Sequence, residues 1–479
     1  MKGEIEGSIA GLDVDKLDLN DPEKTKALIR QLLSIIEVQA QTIKELREEI
    51  QQHRDEIAHL KGEKGKPKIL PNVPDISRDA GNHLADKPNT WKKRSKGTRI
   101  KIDRVERLYV DKSKLPADAI GKGFRSVVKQ DIKFETNNVE YLLERYYSPS
   151  LNKVFEAELP KDVQKTEFGS ALKAFIINLH YAGRVPENKI QQILEGIGTI
   201  VSEGTISNIL TKEKREVFTS EKEAIFEAGM KNATYFQIDD TGARHSGKNH
   251  YLEVVCNDQF SSFFILEGKG KDELRPVFGL GEDDQIDKPM VSDAAQQFRF
   301  LSPKQGLCWI HEIRHYRKLT PILDHHRALL NRFIKRLWNL YELLKSYREQ
   351  PDRGLRVHIE WLFDTIFLPT TRYVMLDETI ASTIKRKDRL LRVLDFPELP
   401  LHNNAAEIAL REGVIKRKIS YGTRSDAGKN AWENQLTLLD TCRKQKVSFF
   451  DYIHDIISGK YSMPRLHQLL GSSIGATTY

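Results

Sequence analysis

Cysteine is scarce in this chain of 479 residues, which contains only Cys256, Cys308 and Cys442. Three widely spaced cysteines argue against a disulfide framework and are typical of a reducing compartment, so a cytoplasmic protein is expected. No apolar run approaches the roughly 20 residues that a membrane-spanning helix needs. The first residues, MKGEIEGSIAGLD, also lack the apolar centre of a signal peptide. We therefore expect neither secretion nor a membrane partner.

Acidic residues are scarce in one long segment. Residues 61–130 contain 19 Lys and Arg but only eight Asp and Glu, a surplus of 11 positive charges in a chain whose net charge is +8. The rest of the chain is therefore slightly acidic. Such a concentrated basic segment is typical of a contact with nucleic acid, although a solvated linker can have the same composition.

Isoleucine recurs every seven residues near the N-terminus, from Ile29 to Ile57. Leucine occupies the matching positions at 32, 46 and 60, and Gln39 and His53 interrupt that row. This spacing predicts a coiled coil over residues 22–61 and favours a parallel homodimer. The alternative is a single amphipathic helix packed on its own domain.

Three further segments precede the middle of the chain. Residues 62–98 are rich in Pro, Gly and Lys and indicate a basic linker, and alternating apolar residues predict a small β unit over 99–164. Residues 165–230 predict helices that resemble a helix-turn-helix, with Ser202 as an N-cap. Three-helix units also occur in proteins that bind no DNA. The exposed face of the third helix supplies the candidate DNA contacts Thr205, Ser207, Asn208 and Lys212.

The second half of the chain predicts a mixed α/β core. Strand-like runs alternate with helices over residues 231–310, and the pattern resumes over 398–430. A long helical insertion is predicted over residues 311–397, and C-terminal helices over 431–479.

Acidic residues occupy three separate positions in this core. Asp239 and Asp240 end the strand-like run YFQID, Asp293 ends PMVSD, and Glu407 lies in a short helix that later becomes basic. Carboxylates in such places suit Mg²⁺ or Mn²⁺, and a pair of these ions can activate a water or a 3′-hydroxyl for attack at phosphorus. Acidic residues at strand ends are also common in turns, and Asn404 with Glu407 fits a helix cap.

Four segments, in this order, resemble the insertion-sequence-66 family of bacterial DDE transposases. IDDT (238–241) resembles its first-aspartate motif, although Asp240 stands where the family usually has Glu. VSDAAQQF (291–298) resembles the second-aspartate segment, and CWIHEIRHYRKL (308–319) its Cys-Trp-x-His helix. The block LHNNAAEIALREGVIKRKISYGTRSDAG (401–428) resembles the Asn-Asn-x-x-Glu-x-x-x-Arg motif and is the most specific match.

The resemblance implies a DNA transposase with a ribonuclease-H-like core, Mg²⁺ or Mn²⁺ as cofactor, and element ends and target DNA as partners in the bacterial nucleoid. It implies that Asp239, Asp293 and Glu407 form the catalytic, metal-binding triad. Supporting roles are expected for Asp240, Cys308, His311, Asn403 and Asn404. Contacts with DNA phosphates are expected from Arg411, Arg417, Lys418 and Arg424.

One departure from the family and two alternative functions remain. Family members often carry a cysteine zinc-binding unit, but residues 99–160 contain no cysteine, and Tyr146, Tyr147 and Ser148 stand where ligands would be expected. The chain could instead be a catalytically inactive DNA-binding protein of transposase descent. The run HEIRH (311–315) also fits the His-Glu-x-x-His pattern of zinc proteases, with His325 or His326 as a third ligand.

Overall fold

The computed structural model describes residues 21–60, 102–111, 123–133, 135–160, 167–368 and 371–471. The chain forms two compact units, one of residues 1–46 with 138–479 and one of residues 47–137. Helices and a mixed sheet make up the larger unit, which confirms the predicted mixed α/β class.

Fifteen α-helices are present in the described part of the chain. The first six are α1 (Pro22–Leu60), α2 (Ser170–Tyr181), α3 (Glu187–Gly196), α4 (Glu203–Thr211), α5 (Arg215–Asn232) and α6 (Lys271–Val277). The next five form the helical insertion: α7 (Trp309–Arg317), α8 (Asp324–Glu349), α9 (Arg353–Ile366), α10 (Val374–Ile384) and α11 (Lys387–Leu390). The last four are α12 (Asn404–Ser420), α13 (Asp426–Lys444), α14 (Phe449–Ser458) and α15 (Leu466–Leu469).

A five-stranded sheet lies at the centre of the larger unit. Its strands are β3 (Phe236–His245), β4 (Lys248–Cys256), β5 (Ser261–Leu266), β6 (Met290–Ser292) and β7 (Gln305–Leu307), in the spatial order β5-β4-β3-β6-β7. Strands β3, β4 and β5 form an antiparallel meander, whereas β6 and β7 run parallel to β3. The strand-like runs predicted over residues 231–310 are therefore confirmed as strands.

Helices cover both faces of this sheet. One apolar cluster joins a sheet face to helices α2–α5 and α12–α14, and a smaller cluster fills the opposite face. Helix α12 approaches β4 closely at Gly413, where a Cβ atom would collide with the side chain of Leu252. The glycine therefore sets the depth at which the helix carrying Glu407 packs on the sheet.

Helix α1 exposes the heptad stripe predicted from the sequence. The exposed members are Ile29, Leu32, Ile36, Ile43, Leu46 and Ile50. Another face of the helix is anchored by Glu37, which is buried and accepts hydrogen bonds from the backbone N–H groups of Ile322 (3.0 Å) and Leu323 (3.1 Å). His326 Nδ1 also lies 2.6 Å from Glu37 Oε2. Thr320 Oγ1 also donates to Gln41 Oε1 at 2.6 Å. Polar contacts thus hold one face of α1, while the apolar stripe is exposed in the described part of the chain.

The β unit predicted over residues 99–164 is smaller than expected. Among its described residues, only the hairpin β1 (Arg145–Ser148) and β2 (Lys153–Glu156) is paired. The alternating segment 102–111 forms no strand, and its apolar side chains, such as Leu108, are exposed. Alternation alone therefore did not yield a sheet, because a strand also needs a partner and a surface to pack on.

Candidate metal centre

The first acidic pair lies inside β3, and the prediction that it ends the strand was wrong. The strand continues to His245 because β4 pairs with it along nearly its whole length. On the other side, the short strand β6 pairs only with Phe236 and Gln237. Asp239 and Asp240 therefore lie just past the end of β6, where one edge of β3 becomes accessible.

The second acidic position directly follows β6, as predicted. Asp293 Oδ1 accepts a hydrogen bond of 2.9 Å from the backbone N–H of Ala295. Two residues further on, Gln297 Nε2 donates to Asp240 Oδ1 at 2.9 Å. The turn after β6 is thereby tied to β3, and Asp293 is held beside the first acidic pair.

Asn403 attaches the start of α12 to the sheet. The sequence predicted Asn404 as the N-cap with Glu407 as its partner, but the N-cap is Asn403 and its side chain makes no capping bond. Instead Asn403 is fully buried and its Nδ2 donates to the carbonyl of Ile238 at 3.0 Å. Asn404 itself is exposed. The helix start is therefore fixed one residue before Asp239, which positions Glu407 over the same edge.

The three acidic positions influence one another electrostatically. Burial raises the pKa of Asp239 to about 7, and the charges of Asp293, Asp240 and Glu407 add to this rise, which a hydrogen bond from the backbone of Asp240 partly offsets. Carboxylates raise each other's pKa only when they lie close together. The fold therefore brings positions that are far apart in the sequence into one acidic cluster.

Sequence reasoning missed a fifth carboxyl group, which lies next to the four acidic residues Asp239, Asp240, Asp293 and Glu407. Glu253 lies opposite Asp240 in the β3–β4 ladder, is 1% exposed, and neither of its carboxyl oxygens has a hydrogen-bond partner. Burial, and then the charge of Asp240, raise its pKa to about 9. The side chain is therefore neutral at pH 7. A glutamate within the apolar run YLEVVC was the signal that could have identified it.

The donor set fits a divalent cation. Lys269 pairs with Asp240, and Arg314 Nη2 lies 3.4 Å from Glu407 Oε2. For Asp239, the hydrogen bond that the structure provides is the 2.9 Å bond from the backbone N–H of Asp240. Carboxylate oxygens are the donors that suit Mg²⁺ or Mn²⁺. Among the described residues, however, the ligand atoms of Asp239, Asp293 and Glu407 do not all lie within 4.8 Å of one another.

A second group of possible metal ligands shares Glu407. The Cys308 sulfur, a ring nitrogen of His311 and a carboxylate oxygen of Glu407 all lie within 4.8 Å of one another. Cys308 is the N-cap of α7, and the backbone N–H of Asn403 donates to its sulfur at 3.3 Å. His311 Nδ1 lies 3.6 Å from Glu407 Oε1. Cys308 and His311, two of the five residues expected to support the site, therefore lie beside Glu407.

The His-Glu-x-x-His pattern does not form a zinc-protease site in this fold. Glu312, which would be the base, is buried, bonded to Thr383 and paired with Arg386 at 2.9 Å. Of the two histidines proposed as third ligand, His326 is engaged with Glu37. The cluster found among the described residues joins His311 to Cys308 and Glu407, without His315.

The predicted DNA contacts on and after α12 differ in availability. Arg411, Lys418 and Arg424 are exposed. Arg417 is half-buried, and its Nη1 donates to the carbonyl of Gly242 at 2.6 Å. Three of the four side chains are thus available to phosphate, and the fourth connects α12 to β3.

The predicted contacts on α4 also divide into two groups. Asn208 and Lys212 are exposed, whereas Thr205 and Ser207 are half-buried. Ser202 is confirmed as the N-cap, because its Oγ accepts a hydrogen bond from the backbone N–H of Thr205 at 3.1 Å. The helix ends at Thr211, earlier than the sequence pattern indicated, and Lys214 then adopts a φ of 49° before α5 begins.

Comparison of the sequence with known proteins assigns the chain to a family. The model of the Transposase IS66 family matches residues 165–431, which is more than half of the chain. The chain belongs to the IS66 transposase family. The uncharacterized protein y4jO of Sinorhizobium fredii (strain NBRC 101917 / NGR234) is 40% identical, over 48% of this chain and 93% of that protein.

Membership of the IS66 transposase family implies DNA as the substrate and is consistent with the use of a divalent metal ion, for which Cys308, His311 and Glu407 are a group of possible ligands. The matched segment includes helices α2–α5, the whole central sheet, the helical insertion and α12. Within the described residues, no helix is both long and apolar enough to span a membrane.

Proposed function

We propose that this IS66-family protein is an active DDE transposase that cleaves and transfers DNA strands at element ends. In this proposal Asp239, Asp293 and Glu407 are the catalytic residues and hold Mg²⁺ or Mn²⁺. The observation that supports it is that two hydrogen bonds attach the other acidic positions to β3: Gln297 bonds to Asp240 at 2.9 Å after Asp293, and Asn403 bonds to Ile238 at 3.0 Å before Glu407. In addition, the charges of Asp293 and Glu407 add to the effect of burial, which raises the pKa of Asp239. Such mutual repulsion is expected where a fold prepares a site for a cation.

We further infer that the sheet is a ribonuclease-H-like core. Three antiparallel strands followed by two strands parallel to β3 support this inference. The location of Asp239 on the central strand and of Asp293 after its parallel neighbour supports the same inference. The helical insertion lies between β7 and α12, so it separates Glu407 from the rest of the site only in sequence.

When bound, the metal would supply a polarised water or hydroxyl and charge stabilisation at phosphorus. The residues of the chain would position the reactants. Asn403 fixes the start of α12 through its bond to Ile238, and this holds Glu407 in reach of Asp239. Three exposed cations lie on the same helix or just after it: Arg411, Lys418 and Arg424. They would bind the phosphates that lead away from the cut.

The protein is also proposed to act as a homodimer through α1. The heptad stripe on α1 is exposed, with Ile43 at 50% and Ile36 at 52% relative accessibility, although isoleucine is normally buried. A second copy of α1 in parallel register would cover this stripe with identical residues. A dimer would bring two element ends together, and α4 with its exposed Asn208 and Lys212 would contact them.

Cleavage of element-end DNA in the presence of Mg²⁺ tests the catalytic proposal. The wild type should cleave, and Asp239→Asn and Glu407→Gln should each lose at least about 1,000-fold in rate, or ~4 kcal/mol of transition-state stabilisation. Glu267→Gln, which changes an exposed carboxylate at the end of β5, is the matched control and should keep its activity. Equal cleavage by all four proteins would contradict the triad. Specific binding without cleavage by the wild type would favour the inactive DNA-binding alternative.

Molar mass in solution tests the dimer. Ile43→Lys should shift the protein towards the monomer, because a lysine at a core position of the coiled coil buries a charge. Glu48→Lys introduces the same side chain on the outer face of α1 and should leave the mass unchanged. An unaltered mass for Ile43→Lys would mean that α1 does not mediate association.

A further inference from the structure

Cys308, His311 and Glu407 form a ligand set of a different chemical kind from the triad. The triad offers carboxylate oxygens alone, whereas this group combines a thiol, an imidazole and a carboxylate within 4.8 Å. Sulfur and nitrogen donors favour Zn²⁺ over Mg²⁺. In a tetrahedral zinc site the ligand atoms lie roughly 3.3–3.6 Å apart, so a closure of about 1 Å would complete the set.

Backbone N–H groups surround the Cys308 sulfur and partly oppose the effect of burial, which raises the pKa of the thiol. Cys308 is 2% exposed and lies at the N-terminus of α7, where the helix dipole favours negative charge. The backbone N–H of Asn403 approaches the sulfur at 3.3 Å from the start of α12. Backbone N–H groups that point at the sulfur are the outer contacts that hold a metal-bound thiolate in place. The N-termini of α7 and α12 therefore both lie next to the Cys308 sulfur.

The Nδ1 side of the His311 ring faces Glu407. Arg314 Nη1 lies 3.2 Å from His311 Nε2, and since arginine can only donate, that nitrogen is the acceptor. The other nitrogen, Nδ1, is buried without a hydrogen-bond partner and lies 3.6 Å from Glu407 Oε1. Zinc binding at Nδ1 would move its proton to Nε2 and displace the half-exposed Arg314 side chain.

We propose that Cys308, His311 and Glu407 bind Zn²⁺, with a water as the fourth ligand, and that this site inhibits the transposase by taking Glu407 from the triad. The binding site stands on its own geometry, whereas the inhibition rests on the proposed function. A carboxylate drawn towards Cys308 is not available to complete a set with Asp239 and Asp293. Occupation of one site therefore weakens occupation of the other.

Titration of the full-length protein with Co²⁺, a spectroscopic substitute for zinc, tests the binding site. The wild type should develop the near-ultraviolet charge-transfer band of a cobalt thiolate, and excess Zn²⁺ should remove it. Cys308→Ser should lack the band, and His311→Gln should bind Co²⁺ at least about 100-fold more weakly. The chain has only two other cysteines, so the band can be assigned to one thiol by substituting few residues.

Two matched controls separate this site from other sources of the signal. Cys442→Ala removes a buried thiol elsewhere in the core and should keep the band. His315→Gln alters the His-Glu-x-x-His pattern without altering the proposed ligands and should also keep it. A band that persists in Cys308→Ser, or unchanged affinity in His311→Gln when both variants are folded by circular dichroism, would overturn the proposal.

Cleavage with and without Zn²⁺ tests the inhibition. In the presence of excess Mg²⁺, the ratio of the two rates should fall at least tenfold on zinc addition in the wild type and by less than twofold in Cys308→Ser. Equal ratios in the two proteins would contradict inhibition through Cys308. If the wild type does not cleave at all, the proposed function fails, whereas the cobalt titration still decides whether the site exists.

Discussion

Helix α12 carries two glutamates five residues apart that lie in opposite environments. Glu412 is 8% exposed and is bound by Arg184 through two hydrogen bonds of 2.9 and 2.8 Å and by Arg443 through one of 2.8 Å. Among the described residues, Glu407 has longer contacts, 3.4 Å to Arg314 and 3.6 Å to His311. The same helix therefore holds one carboxylate firmly and leaves the other free to change partners.

The pKa values follow this contrast. Burial would raise the pKa of Glu412, but the hydrogen bonds from Arg184 and Arg443 lower it below its ordinary value. Close to Glu407 the effect is the reverse, since burial, with the charges of neighbouring carboxylates, raises the pKa values of Asp239 and Glu253. Carboxylates that stabilise the fold are paired, whereas those proposed to bind metal are left in excess.

Exchanging each glutamate for glutamine should separate activity from stability and produce the largest effects. Glu407→Gln should lose at least about 1,000-fold in cleavage while its free energy of unfolding stays the same or rises. Glu412→Gln should lose about 1–2 kcal/mol of stability, since the arginines are half-exposed and solvent weakens the pair. It should still cleave at temperatures where it is folded. Thermal unfolding and cleavage by both variants provide the check, and a stability loss at Glu407 equal to that at Glu412 would remove the contrast.

Glu253→Gln should stabilise the protein at alkaline pH. Because the pKa of Glu253 is about 9 in the folded protein and 4.5 ordinarily, the unfolded chain releases a proton that the folded chain retains as the pH rises. The wild type therefore loses stability between about pH 4.5 and 9, and glutamine does not. We expect the variant to be more stable by about 1–3 kcal/mol at pH 8 and unchanged at pH 4.5. Denaturant unfolding with a metal chelator would measure this, and a pH-independent difference would contradict the buried neutral acid.

Much of this site could be predicted from the sequence because its parts are local patterns. The apolar runs, the acidic residue after each and the basic turns of α12 are all visible in the chain, and their order gives the family. The position of Asp239 within its strand could not be predicted. The end of β6, not the end of β3, makes that position accessible, and only the pairing of the two strands fixes it.

The helix start at residue 403 shows a second limit. Asparagine before a helix predicts a side-chain cap, but the buried Asn403 bonds instead to the carbonyl of Ile238 on a distant strand. A hydrogen bond to a residue far away in the sequence thus takes the place of the expected capping bond. Glu253 was missed for a similar reason, since its significance lies in the charges that the fold brings around it and not in its neighbours in sequence.

The affinity for Mg²⁺ should depend on pH because protons compete for Asp239. Burial, with help from the neighbouring carboxylates, raises its pKa to about 7, and a carboxyl group must lose its proton to bind metal. The apparent dissociation constant should therefore rise about tenfold per pH unit below pH 7 and level off above it. Calorimetry from pH 5.5 to 8.5 would measure the profile. Asp239→Asn should bind weakly with a flat profile, and a flat profile in the wild type would contradict the raised pKa.

The smallest expected effect is on DNA affinity and concerns two lysines of α12. As with the two glutamates, one of them is exposed and the other contacts a neighbouring side chain. Lys418 is exposed, whereas Lys416 is half-buried with its Nζ 3.0 Å from His180 Nε2. If Lys418 binds a phosphate, Lys418→Ala should weaken DNA binding roughly three- to tenfold and reduce the slope of log affinity against log salt by about one. Lys416→Met removes the same charge from a position that faces His180, so the slope should not change. Equal slopes for the two variants would show that the DNA passes α12 on a different side, since only an exposed cation can release counterions from the phosphates.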